Sequence, residues 1–164
     1  MCKPLLVVIG FVGTAALAAA QAAVQVEPVH LLGPRPLESE TRQAVIRDYL
    51  QSWQTFKAAF AQDQAGLLDA DFVGGAQEQL AATIREQARL GINTFYRDRS
   101  HDLRVVFYSP EGLSIELIDL VGYREQVLDH GRPLGSREVK DRFLVVLTPT
   151  QVRWKVRVFE AVSE

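Results

Sequence analysis

The sequence predicts an α+β domain in which N-terminal helices pack on one face of a curved antiparallel sheet. Three observations carry this. From about residue 38 the apolar residues recur at three- and four-residue steps. From about residue 101 they alternate instead, and the breaks between the alternating runs are short, as an antiparallel meander requires. With 164 residues, 48% of them hydrophobic, the chain is long enough to build one core of its own. Its formal net charge of −2 gives no general attraction to nucleic acid or acidic lipid.

The N-terminus reads as a secretory leader. Lys3 supplies the positive end, and Leu5 to Ala20 follow without a charge, ending in Ala20-Gln21-Ala22. That small-x-small pattern suits a signal peptidase, with cleavage after Ala22, or else after Ala20. An uncleaved leader would be a single-pass anchor, because Leu5 to Val26 reaches the roughly 20 residues a bilayer needs. Either way the domain is expected outside the cytoplasm, and after cleavage it has no membrane partner. The only cysteine is Cys2, within the leader. A disulfide, a thiol nucleophile and a thiolate metal site are therefore excluded downstream.

Residues 23–37 hold Pro28, Gly33, Pro34 and Pro36 and read as an extended linker, with His30 solvent-exposed within it. The domain then runs over 38–164. Ser39 is the expected N-cap of a first helix, flanked by Glu38 and Glu40. Val45, Tyr49, Trp53, Phe56 and Phe60 form its buried stripe, widened by Ile46 and Leu50, and it ends near Gln62. A helical turn follows over Gln64 to Leu68, then Asp69-Ala-Asp-Phe-Val-Gly-Gly with Phe72 and Val73 as anchors. The second helix covers about Ala76 to Leu90, with Leu80, Ile84 and Ala88 aligned and Gly91 as its stop.

Strands are expected over His101 to Ser109, Leu113 to Leu128, Glu138 to Leu147 and Gln151 to Val162. The breaks are Pro110-Glu-Gly, the stretch holding Gly131, Pro133 and Gly135, and Thr148-Pro-Thr. The charged run Tyr96-Arg-Asp-Arg-Ser-His-Asp lies between helix and strand and reads as a solvated connection.

In this order of parts the chain resembles the nuclear transport factor 2-like superfamily. This is a cystatin-like, cone-shaped fold that includes ketosteroid isomerase and the SnoaL-like polyketide cyclases. The likeness rests on the aromatic helix from Val45 to Phe60 and the Ala65-Gly-Leu-Leu-Asp-Ala-Asp-Phe-Val-Gly-Gly segment with its helix. The closing Val152-Arg-Trp-Lys-Val-Arg-Val-Phe adds to it. It spans about residues 38 to 162 without a diagnostic catalytic motif, and such folds host enzymes, binders and assembly domains alike.

Strand alternation sorts the sheet into two faces. If Thr148 to Gln151 sets the last hairpin, Val145 faces Trp154, Phe143 faces Val156 and Asp141 faces Val158. The helix-facing side then collects Leu103, Val105, Phe107, Ile115, Leu117, Val121, Phe143, Val145, Trp154, Val156 and Val158. Asp119, Tyr123 and Asp141 interrupt it. In one reading Asp119 or Asp141 is a general base and Tyr123 a hydrogen-bond donor, in a pocket lined by Tyr49, Trp53, Phe56, Phe143 and Trp154. The resemblance implies a carboxylate in such a place, usually paired with a second acid or a histidine, but neither His101 nor His130 obviously joins the group. In the other reading Asp119 sits at a bulge and Asp141 at the rim, solvated or paired with arginine.

The opposite face mixes Arg104, Arg124, Lys140 and Arg142 with Ile118, Leu120, Leu144, Val146 and Phe159. The resemblance implies a use for those five apolar residues, as the centre of a homodimer. The alternative is long basic side chains laid over scattered apolar ones. Three histidines far apart give no metal-ligand spacing, Gly74-Gly75 is not a phosphate loop, and no Gly-x-Ser-x-Gly elbow occurs. No metal, cofactor or nucleic acid is implied.

The leading expectation is an exported domain binding a small apolar ligand or a protein. A cofactor-free isomerase, dehydratase or cyclase is the first alternative, and an envelope-assembly subunit the second.

Overall fold

Helix α1, Ser39–Gln62, and helix α2, Gly74–Leu90, lie on one side of a five-stranded sheet in the order β1-β2-β3-β4-β5. A short 3-10 helix, Ala65–Ala70, links the two helices. The strands are β1 Ala23–Val26, β2 Ile92–Tyr108, β3 Ile115–Asp129, β4 Arg132–Pro149 and β5 Trp154–Ala161. The computed structural model describes residues 21–29, 31 and 35–162. Almost all of the expected leader, together with His30 and residues 32–34 of the expected linker, lies outside them.

The stripe expected on α1 is the one that is buried. Val45, Tyr49, Trp53, Phe56, Ala59 and Phe60 turn to the sheet, joined by Asp48 and Ser52. The N-cap is Glu38, one residue before the expected Ser39, and the helix stops where Asp63 takes a left-handed backbone at φ 53°. In α2, Ala76, Ala81 and Ile84 are buried while Ala88 is exposed, so its stripe is narrower than helical spacing suggested. Between the helices, Phe72 is clamped onto β5, with the Val73 N–H donating to Val156 O at 2.9 Å and the Val156 N–H to Asp71 O at 2.8 Å.

Phe107, expected inward, lies opposite Glu116 after a bulge at Val105, β4 starts at Arg132 instead of Glu138, and three further strand features depart from the expectation. First, residues 23–26 of the expected linker form β1, which pairs parallel with Ser100–Leu103 and makes the sheet mixed. Second, β2 begins at Ile92, so the charged run from Tyr96 to Asp102 is strand. Its alternation puts Thr94, Tyr96 and Asp98 on the helix side and leaves Phe95, Arg97 and Arg99 exposed; a bulge between Asp98 and Ser100 restarts the register.

Third, the last hairpin turns at Thr150–Arg153, where the Thr150 N–H donates to Arg153 O at 2.9 Å. Trp154 therefore faces Pro149, and Phe159, instead of Trp154, faces Val145. Another bulge, between Val146 and Leu147, flips the far half of β5. It turns Phe159 inward, onto Phe143 at 4.6 Å between ring centroids, and leaves Val158 opposite Val146 on the outer face.

The cone is filled by aromatic side chains. Trp53, 1% exposed, lies 5.3 Å from Phe56, 5.1 Å from His101, 5.7 Å from Phe143 and 5.5 Å from Phe159 between centroids. Edge-on and tilted contacts of this kind add to the burial of area.

Candidate functional site

Helical and strand spacing bring six side chains with polar atoms to one line under α1. On the helix, Tyr49, Trp53 and Lys57 are four residues apart and so project from one side. On the sheet, Leu103 pairs with Asp119 and His101 with Val121, which sets His101 and Asp119 diagonally on the same face. Because of the bulge after Asp98, Asp98 faces inward beside His101, although the two are an odd number of residues apart.

Asp119, 0% exposed, is held from two sides. The Tyr49 hydroxyl donates to its Oδ2 at 2.7 Å, and His101 Nδ1 meets the same oxygen at 2.7 Å. The Trp53 Nε1–H donates to the Tyr49 oxygen at 2.7 Å. On the other side of the imidazole, Nε2 lies 3.5 Å from Asp98 Oδ2, and Asp98 is also paired with Lys57. The chain of contacts runs Trp53, Tyr49, Asp119, His101, Asp98, Lys57, alternating in charge toward its outer end.

Burial works against a charge on His101, but the hydrogen bond to Asp119, the close approach of Asp98 and the charges of both carboxylates outweigh burial and raise its pKa to about 9. Burial likewise opposes ionisation of Asp98, yet the bonds to His101 and Lys57 hold it well below the usual carboxylate range. Burial, then the charge of Asp119, pushes the Tyr49 hydroxyl well above its ordinary value. At neutral pH the imidazole is a cation locked between two carboxylates, which can donate a proton but has no free lone pair to accept one.

The three polar residues grouped on the inner face by alternation separate into two sets. Asp119 joins His101 and Tyr49. Tyr123 and Asp141 form their own pair, hydroxyl to Oδ2 at 2.7 Å, with Asp141 half-buried. His101, Asp98 and Lys57 were missed. The period-two pattern of Ile92, Thr94, Tyr96 and Asp98 was the available signal, masked by the one-residue slip before His101.

Of the aromatics expected to line a pocket, Tyr49, Trp53 and Phe56 are core. Phe143 stacks on Phe159, and Trp154 is the first residue of β5, its backbone N–H donating to Asp48 Oδ2 at 2.9 Å. None of the five lines the two clefts beside α1. One cleft of about 570 Å³ reaches the network at its outer end, bounded by Val24, Leu50, Gln54, Lys57, Asp98 and His101. It continues along α1 into a groove of about 630 Å³, with which it shares Leu50 and Gln54. On the outer sheet face Ile118, Leu144 and Val146 are half-buried and Leu120 is 44% exposed, as surface residues, while Phe159 is not among them. Among the described residues no cluster of three or more His, Asp or Glu could hold a metal ion, and no helix is long and apolar enough to cross a membrane.

No family profile and no curated protein matches the sequence. Solved structures do match. The intermembrane space region of the chloroplast protein ARC6 superposes with a TM-score of 0.63 at 14% identity, over 79% of this chain and 100% of that one. A scytalone dehydratase-like protein from Novosphingobium aromaticivorans gives 0.50 at 9% identity, over 77% and 89%. Aln2 from a Streptomyces species gives 0.51 at 15% identity, over 77% and 94%. At such identities the likeness shows the fold alone, and that fold is nuclear transport factor 2-like.

Proposed function

We propose that this chain is an exported binding domain that engages a protein partner through its surface and has no catalytic centre. The packing around Trp53 supports this most directly. The place where a cone of this kind would admit a small molecule is occupied by the chain's own rings, and Asp119 beneath them is 0% exposed. A base must come within hydrogen-bond reach of a substrate proton, and here Tyr49 and His101 fill that reach. The leader reading supplies the location, and mass analysis of the exported protein should find a new N-terminus at Ala23.

Tryptophan emission tests the closed cone. In the exported protein carrying Trp154→Phe, only Trp53 emits. A panel of apolar small molecules should leave both its emission and the melting temperature unchanged. A molecule that shifts the emission and raises the melting temperature would refute the reading.

A second reading, proton-transfer catalysis, is favoured by one observation. His101 Nε2 has no hydrogen bond, and the ring edge meets the outer cleft, so a protonated imidazole backed by Asp119 could act as a general acid there. In that case His101→Gln would abolish turnover in a folded protein. Under the binding reading it alters only stability.

A further inference from the structure

Strand β1 ends the sheet with a free edge. The Glu27 N–H donates to Leu103 O on β2 at 2.9 Å, so by strand alternation the N–H and C=O groups of Val24 and Val26 point away from β2. Nothing pairs with them among the described residues, because β1 is the last strand of the order. Natural edges of this kind are commonly blunted by charge, proline or a bulge; Ala23-Val-Gln-Val26 has none of these, and its valines are 43% and 41% exposed.

Beyond that edge lies the groove along α1. It is lined by Val26, Ile46 and Leu50, and by Arg42 and Arg47 toward the N-terminal end of α1. No carboxylate lines it. The Arg47 guanidinium binds Asp48 Oδ1 at 3.0 Å but keeps a side chain 71% exposed. At the other end the continuing cleft carries Arg97 beside the paired Lys57 and Asp98.

We propose that β1 and this groove together dock an extended segment of a partner protein, which adds to the sheet as a sixth strand. Its main chain pairs with Val24 and Val26, its alternate apolar side chains seat on Ile46 and Leu50, and carboxylates at its ends meet the arginines. Charge selects the partner over a second copy of this chain. A second β1 strand, Ala23-Val-Gln-Val26, carries no carboxylate to meet Arg42 and Arg47. The proposal rests on the reading of the chain as a binding domain and adds the class of partner.

The test uses the exported protein and a fluorescein-labelled peptide, Glu-Thr-Val-Thr-Val-Thr-Glu, whose inward positions are Glu, Val, Val and Glu. Saturable binding is expected, with amide exchange at Val24 and Val26 slowed at least tenfold. Val26→Pro removes an outward N–H that the ladder to β2 does not use. It should weaken binding at least tenfold without changing the melting temperature. Arg42→Glu with Arg47→Glu should also weaken binding at least tenfold, and a peptide with lysine in place of both glutamates should then recover affinity.

Unchanged binding by both variants, or no binding to a protein whose Val24 and Val26 amides exchange freely, overturns the proposal. A native dimer that Val26→Pro dissociates also overturns it, in favour of a second copy. If the peptide fails while Trp53 emission stays insensitive to apolar molecules, only this inference falls. A small molecule entering the cone refutes the reading beneath it.

Discussion

Asp119 and Asp98 converge on one imidazole, His101, which is 1% exposed, so the charge state of that ring bears on stability. The folded value near 9 lies above the roughly 6.5 of an unfolded histidine. Stability from the protonated ring is therefore complete below about pH 6.5 and is lost as pH rises through about 9. The expected loss is on the order of 2–3 kcal/mol, read as a falling urea midpoint between pH 7 and 10. His101→Gln should flatten that part of the profile, and a midpoint equally steep in the variant would show that another group titrates. Removing the other partner is more severe. Asp119→Asn leaves a buried cation short of its counter-charge and should cost about 3–5 kcal/mol in urea unfolding. Asp119 was legible as an inward carboxylate because alternation in β3 is unbroken around it. His101 was not, because its place beside Asp119 depends on β2 starting at Ile92 and slipping one residue after Asp98. Period-two reasoning fails wherever a bulge intervenes.

The same limit acts on whole elements. The helices were legible nearly to the residue, since Trp53, Phe56 and Ile84 sit on stripes that no insertion can shift, and left-handed Asp63 and Gly91 stop them. The closing hairpin was not. Thr148-Pro-Thr looked like its turn, but Thr150 closes a later loop by accepting the Arg153 N–H on its hydroxyl at 3.3 Å and donating that hydroxyl to Arg153 O at 2.7 Å. The later turn and the bulge at Val146 together exchange the faces of Val158 and Phe159. Truncation measures this exchange directly. Phe159→Ala empties a site ringed by Trp53, Phe56, Phe72 and Phe143 and should cost about 3–5 kcal/mol in urea unfolding. Val158→Ala, on the outer face, should cost about 1 kcal/mol or less. Equal costs, or the reverse order, would restore the register that the sequence suggested.

At the scale of the whole molecule, the helices cover only one side of the sheet, and the outer side is left with a mixed surface. Ile118 lies opposite Leu144, with Arg104 on its other flank, and Leu120 lies opposite Arg142. Apolar residues thus occupy the middle of the face and cations its border, without Phe159. A two-fold dimer proposed on this face would bury Ile118, Leu120, Leu144 and Val146 against their own copies and leave the cations at a wet rim. Leu120, at 44% exposed, is the residue whose change tests contact with least harm to the core. Leu120→Arg should weaken self-association at least about tenfold in sedimentation equilibrium, because it sets like charges across the axis. Its melting temperature at low protein concentration should match the parent. Val26→Pro, at the far edge of β1, should leave the dimer untouched, so the two surfaces can be assigned independently. A parent protein that sediments as a monomer at tens of micromolar, about the range where a stable interface would already be filled, would remove the dimer and leave this face as solvated sheet.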